Sequence, residues 1–158
     1  VKALSLSQPY AWLVLQRAEE ADPRKPLKPI ENRSWPLPKN FTVPQRIWIH
    51  ASLGLYNVTL AALKEVMTPT QSLRCANHLY AIYKDYETYR HQKVHLQRTG
   101  NFGCILGSIV VTGQVTASEN VWFLGPYGYT LEYPEMLPKP IPYKGQLGFF
   151  EVPDSIVH

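Results

Sequence analysis

The chain has 158 residues, of which 45% are hydrophobic and 18% charged, with a formal net charge of +4. Those values predict one folded domain with its own core, and they exclude a disordered chain. No run of about 20 apolar residues is present to span a bilayer, so no membrane partner is expected, while the mild positive charge favours polyanionic partners.

Residues Lys2 to Ser5 alternate polar and apolar as a short strand does. Ser7-Gln8-Pro9 then offers an N-cap with a proline near the first helical position, which predicts a helix from Pro9 to about Glu19 with Trp12, Leu13 and Leu15 facing the core. Residues 21 to 29 are proline-rich and charged and read as a stiff loop. That loop delivers the chain to Lys28-Pro29-Ile30-Glu31-Asn32-Arg33-Ser34-Trp35.

In an extended segment Glu31, Arg33 and Trp35 project to one face, with Lys28 swinging in from the loop. A cation, an acceptor, a fork of donors and a flat ring then surround one small space suited to a nucleobase or nucleotide. The competing reading is an exposed ion pair beside a core tryptophan. Between residues 24 and 46 stand Arg24, Lys25, Lys28, Arg33, Lys39 and Arg46 against the single acid Glu31, interleaved and followed by Trp35, Phe41 and Trp48. That composition suits a groove that tracks phosphates while bases stack on rings, and equally a solvated loop.

Arg46 to His50 alternates as a strand, and Ala51-Ser52 reads as the cap of a helix running to about Met67. His50 therefore stands at a strand end near a helix start, a position shared by site residues and by structural histidines. From Pro69 to about Arg98, Leu73, Ala76, Tyr80, Tyr83, Glu87 and Arg90 recur at steps of three and four, predicting one long helix or two shorter ones. Tyr80, Tyr83, Tyr86 and Tyr89 repeat every third residue, a drifting ladder that reads first as packing. His91 and His95 are spaced for a metal, but the glutamate of the metalloprotease pattern is missing, so neither metal nor cofactor is assigned.

Gly103 to Thr116 is the strongest strand signal, with Gly107 and Gly113 as bulge positions. Tyr127 to Tyr133 and Gln146 to Val152 give two more strands, separated by the proline-rich run Pro134 to Pro142. This order favours an α+β fold, a small mixed β-barrel with helices packed outside. Cys75 and Cys104 fall in helix and strand without metal-ligand spacing, and no signal-peptide pattern is read, so the expected setting is cytoplasmic. The absence of GxGxxG, Walker A, GxSxG and HExxH patterns argues against hydride and phosphoryl transfer.

Several segments together carry a resemblance: Ala3-Leu4-Ser5-Leu6-Ser7-Gln8-Pro9-Tyr10-Ala11-Trp12, Glu31-Asn32-Arg33-Ser34-Trp35, Ile49-His50-Ala51-Ser52, the strand at Gly107, Trp122 to Tyr129, and Lys144 to Phe150. In these the chain resembles bacterial and phage members of the ASCH domain family, relatives of the PUA-like β-barrels. The family signature is a glycine, a lysine two residues on, a glutamate three further and an arginine two beyond. Lys28, Glu31 and Arg33 match its charged positions, while Pro26 occupies the glycine position and the loop from Arg17 to Leu27 is lengthened.

The resemblance implies a single domain over residues 1–158 with a helical insertion at about 54–98, and a cleft beside the signature that binds RNA or another nucleotide ligand. Lys28 and Arg33 would engage phosphate or base edges and Glu31 would accept from a base amino group. Trp35 or Trp122 would supply the stacking surface. Gln8, Tyr10, His50, Ser52 and Tyr127 are further candidates by motif context, with a tight turn as the equal reading of Gly125-Pro126-Tyr127-Gly128. Some family members resemble amidohydrolases of acylated cytidine that use a lysine, a threonine and a glutamate. Here Glu31 stands at the threonine position, so that reaction is not carried over directly. A hydrolase of RNA or modified nucleosides with Lys28 and Glu31 as acid and base is the alternative, and a protein-interaction adaptor using residues 69 to 98 is a third.

Overall fold

The computed structural model describes residues 1–92 and 99–156. Six strands form one mixed sheet in the order β2-β5-β4-β3-β1-β6, from β1 (Lys2–Gln8), β2 (Ile30–Arg33), β3 (Gln45–Leu55), β4 (Cys104–Val115), β5 (Tyr127–Pro142) and β6 (Phe149–Glu151). Among the described residues only β1 and β3 run parallel, and every other strand pair is antiparallel. Among the described residues three α-helices accompany them, α1 (Tyr10–Leu13), α2 (Leu60–Glu65) and α3 (Pro69–Tyr89), with a 3-10 turn at Asp154–Ile156.

Among the described residues no backbone pairing joins the edge strands β2 and β6, so the ladder does not close into a barrel. Side chains bridge the gap instead. Arg33 Nη2 on β2 donates to the Ser5 carbonyl on β1 at 2.8 Å, and Trp35 meets Phe149 of β6 edge to face at 6.4 Å. One sheet face and the helices enclose the main core around Leu4, Leu6, Leu13, Ile47, Ile49 and Val111. A smaller cluster of Ala3, Ile105, Phe150 and Val152 lies apart from it.

Four sequence expectations are corrected. The helix expected from Pro9 to Glu19 is the single turn α1, because Ala11, Trp12, Leu13, Val14 and Leu15 are all buried and no amphipathic helix buries five consecutive residues. The chain then turns back as a loop held by Ala18 N–H to the Lys25 carbonyl at 2.8 Å and Leu27 N–H to the Gln16 carbonyl at 2.7 Å. Ala51 and Ser52 cap no helix: β3 runs on to Leu55 because β1 pairs beside it as far as Gln8 opposite Leu55. The insertion's helices start later, α2 at the Thr59 cap and α3 at a Thr68–Gln71 capping box with Pro69 at its first position.

The run Pro134 to Pro142 does not separate two strands either; it is the second half of β5. Register passes from Gly107 opposite Met136 to Ile105 opposite Ile141, so Pro138 and Pro140 sit in a bulge where a missing N–H costs no ladder bond. Gly107 permits that crossing: a Cβ there would stand 2.1 Å from the Glu135 carbonyl oxygen. The last strand is shortened to Phe149–Glu151. Of the tyrosine ladder, Tyr83 donates to the Val58 carbonyl, Tyr86 packs on Phe102 at 5.8 Å and Tyr80 is exposed. His95 lies outside the described residues.

Candidate functional site

The cleft opens where β2 faces the end of β1 across the gap in the sheet, with a volume of about 350 Å³. Lys28, Glu31, Asn32 and Arg33 line it from one side, Ser5, Leu6, Ser7 and Tyr10 from the other, and Tyr56, Leu124 and Gly125 stand at its rim. Strand alternation explains the charged wall. Glu31 and Arg33 are two apart on β2, while Ile30 between Lys28 and Glu31 turns to the opposite side.

Lys28 is 2% exposed, unusual for an ammonium group. Its Nζ donates to the Ile30 carbonyl at 2.5 Å, lies over the Tyr10 ring 4.6 Å from the centroid and stands 3.6 Å from Glu31 Oε1. Burial pushes its pKa below the ordinary lysine value, Glu31 opposes that and the Arg33 charge adds to it. Glu31 is 8% exposed and holds a cation on each side, with Arg33 Nε 2.9 Å from Oε2.

The Arg33 contact is ionic without being a directed hydrogen bond: Nε is buried and its N–H has no acceptor in line. The Lys28 contact, at 3.6 Å, also exceeds hydrogen-bond length. The buried Arg33 Nε is thus left without a hydrogen-bond partner, which native interiors rarely tolerate, while Glu31 is held by ion pairs alone. Tyr10 and Tyr56 pack at 4.9 Å and form an aromatic wall, and burial holds the Tyr10 hydroxyl at a pKa of about 12, so it remains a neutral donor.

No family model and no curated protein matches the chain.

The remaining sequence candidates divide by location. Trp35 follows β2 but does not line the cleft; it packs edge-on against Tyr129 at 5.9 Å, receives the Tyr129 hydroxyl on its carbonyl and carries the Arg33 guanidinium at 5.7 Å. Trp122 is buried in a separate cavity of about 550 Å³ with Leu27, Pro29 and Ile30, on the far side of β2. Tyr127 pairs with Arg33 in the ladder and packs on the core. Gln8 is fully buried and structural: Oε1 accepts from Trp12 N–H at 3.0 Å and Nε2 donates to the Asn101 carbonyl at 2.7 Å. Ser52 Oγ accepts from Gly54 N–H at 3.3 Å. His50 lies under the cleft edge, with Nδ1 2.6 Å from Ser5 Oγ and Nε2 2.6 Å from the Tyr143 carbonyl.

Two cations of the wider basic stretch have protein partners. Arg24 forks onto Glu132, with Nε at 2.9 Å, and Arg46 donates to Ser108 Oγ at 3.0 Å beside Glu135. Sequence reasoning passed over Asn32, Ser5, Ser7, Tyr56 and Leu124. Asn32 fixes the rim: Oδ1 accepts from Leu124 N–H at 2.8 Å and Gly125 N–H at 3.1 Å, and Nδ2 donates to the Trp122 carbonyl at 2.9 Å. Its signal was its place inside the charged cluster, and that of Ser5 was its place in the first resembling segment; Tyr56 had none, because it comes from a distant segment.

Proposed function

We propose that the chain is an RNA- or nucleotide-binding module of the ASCH, PUA-like type. Its sheet would be a barrel of that type whose last seam is bridged by side chains, and the seam would hold the ligand. The observation that carries this reading is the charged trio of buried Lys28, buried Glu31 and half-buried Arg33 lining one cleft with Tyr10 and Tyr56. A nucleobase offers partners for those groups. An exocyclic amino group donates to Glu31, a ring or carbonyl acceptor receives from Arg33, and the ring face stacks on Tyr56, which is 48% exposed at the rim. The volume, about 350 Å³, suits one nucleoside and excludes a duplex.

Titration with nucleosides, nucleotides and short single-stranded RNA and DNA tests the reading, with Lys28→Ala and Glu31→Gln alongside. Saturable binding by the wild type, weakened about 10-fold or more in each variant, is expected, since a charged hydrogen bond contributes roughly 1.5–3 kcal/mol. No binding of any of these ligands by the folded wild type would refute it. Hydrolysis of the bound ligand is the second reading, favoured by the lowered proton affinity of buried Lys28 beside Glu31. Under it, ligand is recovered cleaved and both variants lose turnover while retaining affinity.

A further inference from the structure

His50 is 2% exposed and both of its ring nitrogens are engaged. The Tyr143 carbonyl 2.6 Å from Nε2 only accepts, so Nε2 carries the hydrogen. In the neutral ring Nδ1 is then bare, and the Ser5 hydroxyl 2.6 Å away must be the donor. A serine that lines the cleft thus points its proton at an imidazole whose tautomer is set by a third group. This is the arrangement of an activated nucleophile, assembled from β1, β3 and the segment after β5.

We propose that Ser5 is a nucleophile and His50 its base, accepting the acyl group of a small ester or amide bound in the cleft. This goes beyond the binding reading and does not depend on what the rest of the ligand is. Ser5 Oγ bonds to the acyl carbon, its proton passes to His50 Nδ1, and the carbonyl π pair moves onto oxygen. Arg33, anchored on Ser5's own carbonyl at 2.8 Å, supplies positive charge beside that oxyanion. As the oxyanion collapses, the bond to the leaving alcohol or amine breaks and the leaving group takes the proton from Nδ1. Water, deprotonated in turn by Nδ1, then releases the carboxylic acid and restores Ser5.

One observation fits this role, and a second describes how the pair is covered. Burial holds the imidazole below its ordinary pKa, so it is a free base at neutral pH, and the Tyr143 carbonyl steadies the imidazolium formed in transit. Gly145 closes over the pair: a Cβ there would stand 2.5 Å from Ser5 Oγ and 2.6 Å from the His50 ring, so only glycine lets the chain pass. Phe150 of β6 also lies against the ring, edge-on at 6.0 Å, and among the described residues no charged side chain contributes to its shift.

The test is acylation by 4-nitrophenyl acetate, followed by nitrophenolate release and located by peptide mass spectrometry. Acetylation of Ser5 is expected, lost in Ser5→Ala and slowed by about 100-fold or more in His50→Gln. Should His50→Gln fail to fold, the wild type decides alone: the acylation rate is flat at neutral pH and falls on acidification through one ionisation below 6.5, the ordinary histidine value. No adduct, an adduct on a lysine, or labelling unchanged in folded Ser5→Ala overturns the proposal. Nucleoside titration of Ser5→Ala, which keeps Lys28, Glu31 and Arg33, separates the two claims. In the wild type, nucleoside binding without acylation removes only the nucleophile, and acylation without nucleoside binding removes only the nucleoside reading.

Discussion

Arg33 Nε and Glu31 Oε2 lie 2.9 Å apart, yet no hydrogen bond is directed between them. The guanidinium is turned by its other commitment, the Nη2 bond to the Ser5 carbonyl across the gap in the sheet. One arginine thus ties β2 to β1 and leaves its Nε–H without an acceptor in line.

Glu31→Gln removes the anion between two cations and leaves Lys28 buried beside Arg33. Breaking a buried pair by removing one partner costs about 3–5 kcal/mol. Urea denaturation is expected to show a loss of that order at pH 7, and a change under about 1 kcal/mol would mean that the cluster is solvated.

The Lys28 pKa is lowered on folding from 10.5, so between its folded value and 10.5 the unfolded chain binds more protons. Stability contributed by this residue therefore rises with pH across that window, and the full penalty of the buried charge is present below it. In Lys28→Met the slope should vanish. Urea midpoints of both proteins on the alkaline side of neutrality measure the difference, and parallel profiles would contradict the assignment.

Tyr56→Ala should weaken nucleoside binding by about 1–3 kcal/mol through lost stacking, while Tyr56→Phe should bind as the wild type does. Trp35→Ala should lower stability with little direct effect on affinity, because its ring packs against Tyr129 and Phe149 outside the cleft. Calorimetric titration and thermal melting of the three variants separate the roles.

Asn32→Ala frees the Leu124 and Gly125 amides and the Trp122 carbonyl together. At about 1 kcal/mol for each bond, roughly 2–3 kcal/mol of stability is expected to go, and affinity with it, because the rim loses its anchor. Hydrogen exchange should rise at Leu124 and Gly125 in particular.

Gly107→Ala forces a methyl against the Glu135 carbonyl at a nominal 2.1 Å. Backbone must move, at a cost of about 1–3 kcal/mol or more. A melting temperature equal to that of the wild type would show that the bulge yields freely.

The charged site was legible because its members are neighbours in sequence. Lys28, Glu31 and Arg33 lie within one turn and one short strand, and period-two alternation alone sends Glu31 and Arg33 to one side. The bulge glycines were legible for the same local reason: Gly107 and Gly113 interrupt a Val- and Ile-rich strand, and register shifts fall at both. Elements failed where pairing partners overrode local preference. Ala51-Ser52 reads as a cap until β1 lies beside it, and Pro134 to Pro142 reads as a loop until a bulge absorbs the prolines.

By itself the sequence determined the α+β content, the strand at Gly107 and the trio of charges, all of which depend on residues a few positions apart. Only the tertiary structure decided that the sheet stays open between β2 and β6, and that Tyr10 and Tyr56 wall the cleft in place of Trp35 and Trp122. It alone also set Ser5 against His50. Those contacts join segments tens of residues apart, and chain folding brings them together only as the buried apolar faces of the strands come into register.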